Sequence, residues 1–271
     1  MSIPLVPQLL RSHLVELAEN DQRLDGRRQW DGREVQLEIG ILGNAEGSAK
    51  VRMGDTIVYA GVKFQTMTPY SDRPNQGGLM CSAELRPVAG RKHEPGPPSP
   101  ESIELGRVVD RGIRESGCID TEALCIIPGE KAWQVILDLY AISDDGNLFD
   151  ACSYASTAAI NSCKIPKYEM QDEKPVKIEG EFIEPPITTL PVSVTMAKIG
   201  GFILVDPTIE EWGIMDARIT ITSNSDGNVV ALQKGGSDGF SQEELIECAE
   251  LSIKVGSKIR EIIKQSKQSD N

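Results

Sequence analysis

Between Arg33 and Phe64 the chain reads REVQLEIGILGNAEGSAKVRMGDTIVYAGVKF. Val35, Leu37, Ile39 and Ile41 alternate with Glu34, Gln36, Glu38 and Gly40, which is the period of a strand with one buried and one wet face. The dipeptides Gly43-Asn44 and Gly54-Asp55 divide the remainder into two more strands. Turns that short join antiparallel neighbours, so the sheet opens as a meander and is not doubly wound.

On the amino-terminal side, Leu9, Leu10, Leu14 and Leu17 recur at helical spacing, and the polar stretch Asn20 to Arg28 ends that helix. On the other side, GLMCSAELRPV (78–88) reads as a further strand and GRKHEPGPPSP (90–100) as a proline-rich loop. Ser99-Pro100-Glu101 predicts a helix start: hydroxyl cap, proline at the first position, acid in the first turn. That helix is expected to reach about Ser116. ALCIIP and AWQVILDLYAIS are strands, and Asp150 to Cys163 is small, apolar and helical in pattern.

Residues 164–189 are charged, carry four prolines and predict a domain boundary. Beyond them, strands LPVSVTMAKI, FILVD, DARITITSN and NVVALQK precede a long helix with a capping box at Ser241 and Glu244. Meander followed by helix occurs in both halves, so the expected class is α+β, built of two related βα units of unequal size. The expected division is a helical extension over 1–30, a first domain over 31–166, a linker over 167–189 and a second domain over 190–265.

With 28 basic and 41 acidic side chains among 271 residues, the net charge is −13, against general attraction to nucleic acid. Six scattered cysteines without CxxC spacing, and two histidines, argue for buried thiols and against structural zinc. No apolar run approaches the ~20 residues of a membrane span, and the start lacks a cleavable signal pattern, so a cytoplasmic location is expected.

Local chemistry is concentrated in a few places. Residues 86–114 hold six basic and four acidic side chains, a net of +2 in an acidic chain. Within the helix there, Leu105, Val108, Val109, Gly112 and Ile113 share one face, while Arg107, Arg111 and Arg114 share the opposite one. Such a row is either a solvated face with Glu104 and Asp110 as local partners, or a set of guanidinium forks along a phosphate backbone. Asp206, Glu210, Glu211 and Asp216 lie between two strands, as a charged hairpin loop or as acids for Mg²⁺ or proton transfer. Asn147-Leu148-Phe149-Asp150 opens a helix after a strand, where backbone amides can cradle an anion. Asp150 would repel a phosphate there and suits an N-cap, with its carboxylate on the Ser153 amide. Gly235-Gly236-Ser237-Asp238-Gly239 lacks the ending of a P-loop and reads as a flexible connector. Neither His13 nor His93 sits in a nucleophilic pattern.

Arg23-Leu24-Asp25-Gly26-Arg27, AEGSAKVRMGDTIVYAGVK, SIELGRVVDRGIRES and GNLFDACSYASTAAINSCKIP together resemble the RNase PH family, over about Leu24 to Ile263. Residues 90–116 and 135–156 are most similar to the larger, non-catalytic RNase PH-like subunit of the archaeal exosome. The resemblance implies an RNase PH-like fold and pairing with a catalytic RNase PH-like paralogue. It also implies a trimer of such heterodimers around an RNA channel, with RNA-binding cap subunits. Active members hold phosphate with a Gly-Ser/Thr-Arg turn, and the matching Asn147-Leu148-Phe149-Asp150 has neither arginine nor hydroxyl. Their two aspartates, for Mg²⁺ or proton transfer, match Glu210 and Asp216, the first altered. The resemblance therefore implies no catalytic residue, metal or cofactor in this chain, with phosphate and Mg²⁺ at the partner. Arg107 and Arg111, with Arg114 as an addition, are the positions implied to grip a single-stranded RNA 3′ end. The alternative is a phosphate-dependent exoribonuclease active by itself; a third reading is a scaffold whose arginines pair only with partner acids.

Overall fold

A computed structural model describes residues 5–171 and 174–269. The chain begins with α1 (Leu5–Glu19), then β1 (Val35–Ile39), β2 (Gly47–Met53), β3 (Thr56–Met67) and β4 (Gly78–Leu85). Next come α2 (Pro100–Glu115), β5 (Cys125–Ile127), β6 (Lys131–Ser143) and α3 (Leu148–Ser162). A hairpin, β7 (Ile165–Gln171) and β8 (Lys174–Ile183), leads to the second unit. That unit holds β9 (Val192–Ile199), β10 (Phe202–Val205), α4 (Ile209–Ile214), β11 (Ala217–Ser223), β12 (Val229–Gly236) and α5 (Gln242–Ser269).

The expected meander is present: β1, β2 and β3 pair antiparallel in sequence order, and Met53 faces Thr56 across the Gly54-Asp55 turn, with Gly54 at φ 60°. The first sheet continues β3-β6-β4, with β5 alongside β6. β4 is parallel to β6 and leads to it through a crossover containing α2, an order that no local turn signal encodes. The second sheet, β10-β9-β11-β12, is antiparallel throughout.

Helix α3 lies between the two sheets, touching β2 and β3 on one side and β9 on the other. Every residue from Leu148 to Ile160 is buried, which explains a helix with no wet face, made mostly of small side chains. Gly47 enters β2 against the backbone of Ala159 and Cys163, where no Cβ would fit. The larger core joins the first sheet to α2 and α3; a second, of Val194, Met196, Ile219, Ile221, Cys248 and Leu251, seats α5 on the second sheet. Four cysteines are buried and two half-buried, all free thiols. No helix among the described residues is long and apolar enough to cross a membrane.

Three expectations change. The segment read as a linker over 167–189 folds largely into the β7–β8 hairpin, with Ile165 opposite Ile183 and a register shift near Pro166. The presumed glycine connector starts inside β12: Gly235 is bare because the Arg218 guanidinium crosses it, with Nε 2.6 Å from where a Cβ would stand. The acidic hairpin loop contains helix α4, started by a capping box between Thr208 and Glu211.

Candidate functional site

Helix α2 starts as its sequence predicts: Ser99 Oγ accepts from Ser102 N at 3.2 Å, and Pro100 takes the first position. Leu105, Val108, Val109 and Ile113 are buried, and two glycines bring the helix close to its supports. A Cβ on Gly106 would lie 3.3 Å from Ala83 N, and one on Gly112 would lie 3.2 Å from the Thr222 methyl. The opposite face is exposed at Arg107, Arg111 and Arg114. The three arginines differ in what holds them. Arg107 makes no hydrogen bond or ion pair among the described residues. Arg111 Nη1 donates to Gln233 Oε1 at 3.4 Å. Arg114 is tied to Asp110 at 2.8 and 3.1 Å and to the Leu79 carbonyl at 3.0 Å. The hydrogen bond to Asp110 raises its pKa. Asp110 is thus the local partner its spacing predicts, whereas Glu104 turns away to Arg218 at 2.5 Å.

At the start of α3 the cap is Asn147, not Asp150. Asn147 takes a left-handed conformation (φ 53°, ψ 46°), which an asparagine tolerates, and its Oδ1 accepts from Asp150 N at 3.5 Å. Its Nδ2 donates to Asp150 Oδ2 and to Asp206 Oδ1, both at 2.8 Å. The Asp150 carboxylate, fully buried, faces β9 and not the Ser153 amide, accepting from Thr195 N at 2.9 Å and Thr195 Oγ1 at 2.8 Å. Burial pushes its pKa up to about 7, against the hydrogen bonds from Asn147 and Thr195.

Beside this terminus Phe149 stacks on Trp212, with centroids 5.9 Å apart and planes at 21°. The Arg218 guanidinium covers both rings, 4.4 Å from the Phe149 centroid and 5.2 Å from that of Trp212. The remaining space is a cavity of ≈ 220 Å³ whose other charged walls include Lys92, Glu104 and Asp144. Lys92 and His93 both point at Asp144, at 2.9 and 3.0 Å. Of the charged side chains around the terminus, Lys92, Glu104, Asp144, Asp150 and Arg218 each have an internal partner. The cavity sets the Lys92 and Arg218 cations beside the Glu101, Glu104 and Asp144 carboxylates and two aromatic rings, and the Asp150 carboxylate does not line it.

Three of the four second-domain acids, Asp206, Glu211 and Asp216, are engaged as well, by arginines of the first 33 residues. Arg23 and Glu211 form a buried pair, Nε to Oε1 at 2.8 Å with a second bond from Nη2. The remaining Arg23 protons reach the carbonyls of Asp31, Val205 and Asp206. Asp206 accepts from Arg33 Nε and Nη2 at 2.9 and 2.8 Å and from Arg27 at 3.0 Å. Burial would raise its pKa, but Arg33 and Arg27 hold it below the ordinary value. Asp216 is gripped by Arg11 Nη2 at 2.8 and 3.0 Å and accepts from Gly200 N at 2.8 Å. Glu210 has no such partner among the described residues and opens onto a separate cleft beside Asp55 and Asp145. The structure does not bring Glu210 and Asp216 into contact, and the first is free while the second is clamped. Sequence reasoning missed the arginines; the Thr-x-x-Glu spacing at 208–211 was the available signal for α4.

Residues 31–166 match domain 1 of the 3′ exoribonuclease, or RNase PH, family, and residues 189–255 match domain 2. The chain belongs to this family. RNase PH-like relatives named "Exosome complex component Rrp42" include one from Thermococcus kodakarensis, 40% identical over 95% of each chain. Another, from Methanopyrus kandleri, is 41% identical over 97% of this chain and 99% of the relative. Among solved structures, a chain of the Archaeoglobus fulgidus exosome with RNA bound to the active site superposes with a TM-score of 0.87 at 42% identity. That match covers 95% of this chain and 99% of the other. A chain of an archaeal exosome core gives 0.83 at 39% identity, over 96% and 98%. The RNase PH-like, two-domain α+β fold with an amino-terminal helix is therefore the architecture of this chain.

Proposed function

We propose that this chain is a structural and RNA-positioning subunit of an exosome ring of the archaeal type, and that it is not itself a nuclease. It pairs with a catalytic RNase PH-like paralogue, three such pairs close the ring, and RNA-binding cap subunits sit on it, in the cytoplasm. Arg107 and Arg111 reach toward the partner's site and hold the backbone of a single-stranded RNA 3′ end. Phosphate and Mg²⁺ act at the partner.

The observation that carries this reading is a difference in commitment. Asp150 at the α3 terminus is closed by hydrogen bonds from Asn147 and Thr195, and Asp216 by its pair with Arg11, while the arginine face of α2 is exposed and Arg107 has no partner among the described residues. An attacking group that cannot be positioned leaves no route to phosphorolysis. A free guanidinium on a rigid helix, by contrast, is prepared for a phosphate oxygen. The overall charge of −13 is compatible, because a local cationic stripe binds backbone while the rest of the surface repels it.

The test is Arg107→Glu combined with Arg111→Glu in the assembled complex. Loss of two charge-assisted contacts and the added repulsion lower RNA degradation by at least about 10-fold, with ring assembly intact. Normal degradation by an assembled double variant rules out the RNA contact.

A further inference from the structure

Gln233 lies on β12, where it faces Thr220 across the ladder, two residues from the Gly235 that Arg218 crosses. Its two polar ends are used differently. Nε2 donates to Glu104 Oε1 at 3.2 Å, and Oε1 accepts from Arg111 Nη1 at 3.4 Å. A carboxylate can only accept, so Glu104 requires the nitrogen end of the amide and leaves the oxygen end for Arg111. Glu104 is itself held from the other side by Arg218 at 2.5 Å, and Arg218 is packed on Phe149 and Trp212.

Glu104 also lies on the face of α2 that carries the arginines, about 20° around the helix from Arg111. Left alone, its charge would draw Arg111 or Arg107 away from an incoming phosphate. Arg218 cancels that charge from below, and Gln233 transmits an acceptor, not a carboxylate, to Arg111. The resulting hold is weak and neutral: enough to reduce the rotamer freedom of a long side chain, without competing with a phosphate as an ion pair would. Arg114, paired with Asp110, shows the alternative in which the charge is consumed.

We propose that Gln233 is a positioning residue for RNA binding, orienting Arg111 through an amide whose direction Glu104 and Arg218 dictate. The proposal rests on the reading of Arg111 as an RNA ligand.

The experiment measures poly(A) degradation by the complex assembled with its catalytic partner, over a series of RNA concentrations. Gln233→Met keeps the bulk of the side chain and removes both polar ends. It is expected to raise KM for RNA by about 3-fold with kcat unchanged, the size of one modest hydrogen bond. In an Arg111→Ala background the same change adds nothing, which a general loosening of β12 would not produce. If Gln233→Met does not assemble, Gln233→Ala is read by the same two criteria. A KM equal to that of the unaltered complex, or a further 3-fold rise on top of Arg111→Ala, overturns the positioning role alone. An Arg111→Ala complex with unchanged KM overturns the RNA-contact reading and this proposal with it.

Discussion

The amino terminus of α3 and the outer face of α2 both carry charged residues at places where chemistry is expected, and they end in opposite states. At α3 the carboxylates of Asp150 and Asp206 are buried, accept from Asn147, Thr195, Arg27 and Arg33, and form a joint between the two units. At α2 the arginines stand in solvent, and their attachments weaken from Arg114 through Arg111 to Arg107. Charge that is saturated internally holds a fold together; charge left unsaturated on a rigid element is available to a ligand. Family membership alone would not separate the two, because both positions belong to the same RNase PH frame.

The comparison can be broken at several points. The largest effect is expected from Arg23→Ala, which strands the Glu211 carboxylate in a buried site and removes three carbonyl contacts. Chemical unfolding at neutral pH is expected to show a loss of about 3–5 kcal/mol. A loss below about 1 kcal/mol would mean that the clamp of amino-terminal arginines is not structural.

A smaller effect, with a distinctive pH signature, belongs to Asp150. Its native pKa of about 7 lies above the ordinary 3.8, so between those values the folded state retains a proton that the unfolded state releases. Stability therefore falls as pH rises through that window, and the full penalty persists above it. Asp150→Asn removes the ionisation and keeps a side-chain acceptor. Thermal melts should gain on the order of 2 kcal/mol at pH 8 and show a flatter profile between about pH 5 and 8. An unaltered profile would contradict the account of a carboxylate destabilised by burial. The smallest effect is expected at the committed end of the arginine row. Arg114→Ala should cost only ~0.5 kcal/mol, as exposed ion pairs do, and change RNA degradation by the complex less than 2-fold. A loss as large as that of the Arg107/Arg111 variant would erase the distinction drawn between tied and free arginines.

Features encoded over a few residues were legible in the sequence. The Gly54-Asp55 turn, the Ser99-Pro100 start of α2 and the Ser241/Glu244 capping box all depend on neighbours within four positions, and all stand as expected. The arginine face of α2 follows from helical period in the same way. The partners of the acids were not legible, because Arg23 and Glu211 are separated by 188 residues and nothing local announces the pairing. The placement of β4 beside β6 failed to show for the same reason. Asp150 misled differently: an acid in the first turn usually serves the helix terminus, and here the second sheet competes for it through Thr195. The charged, proline-rich composition of 164–189 concealed a hairpin, since ladder pairing at an edge tolerates both features.

The most direct measurement is release of nucleoside diphosphates from poly(A) in the presence of Mg²⁺ and inorganic phosphate, with the purified chain alone and with the catalytic RNase PH-like paralogue proposed as its partner. The account predicts no release by the chain alone and phosphate-dependent release by the mixture. Release by the chain alone, abolished by Asp216→Ala, would contradict it and make this protein a nuclease in its own right.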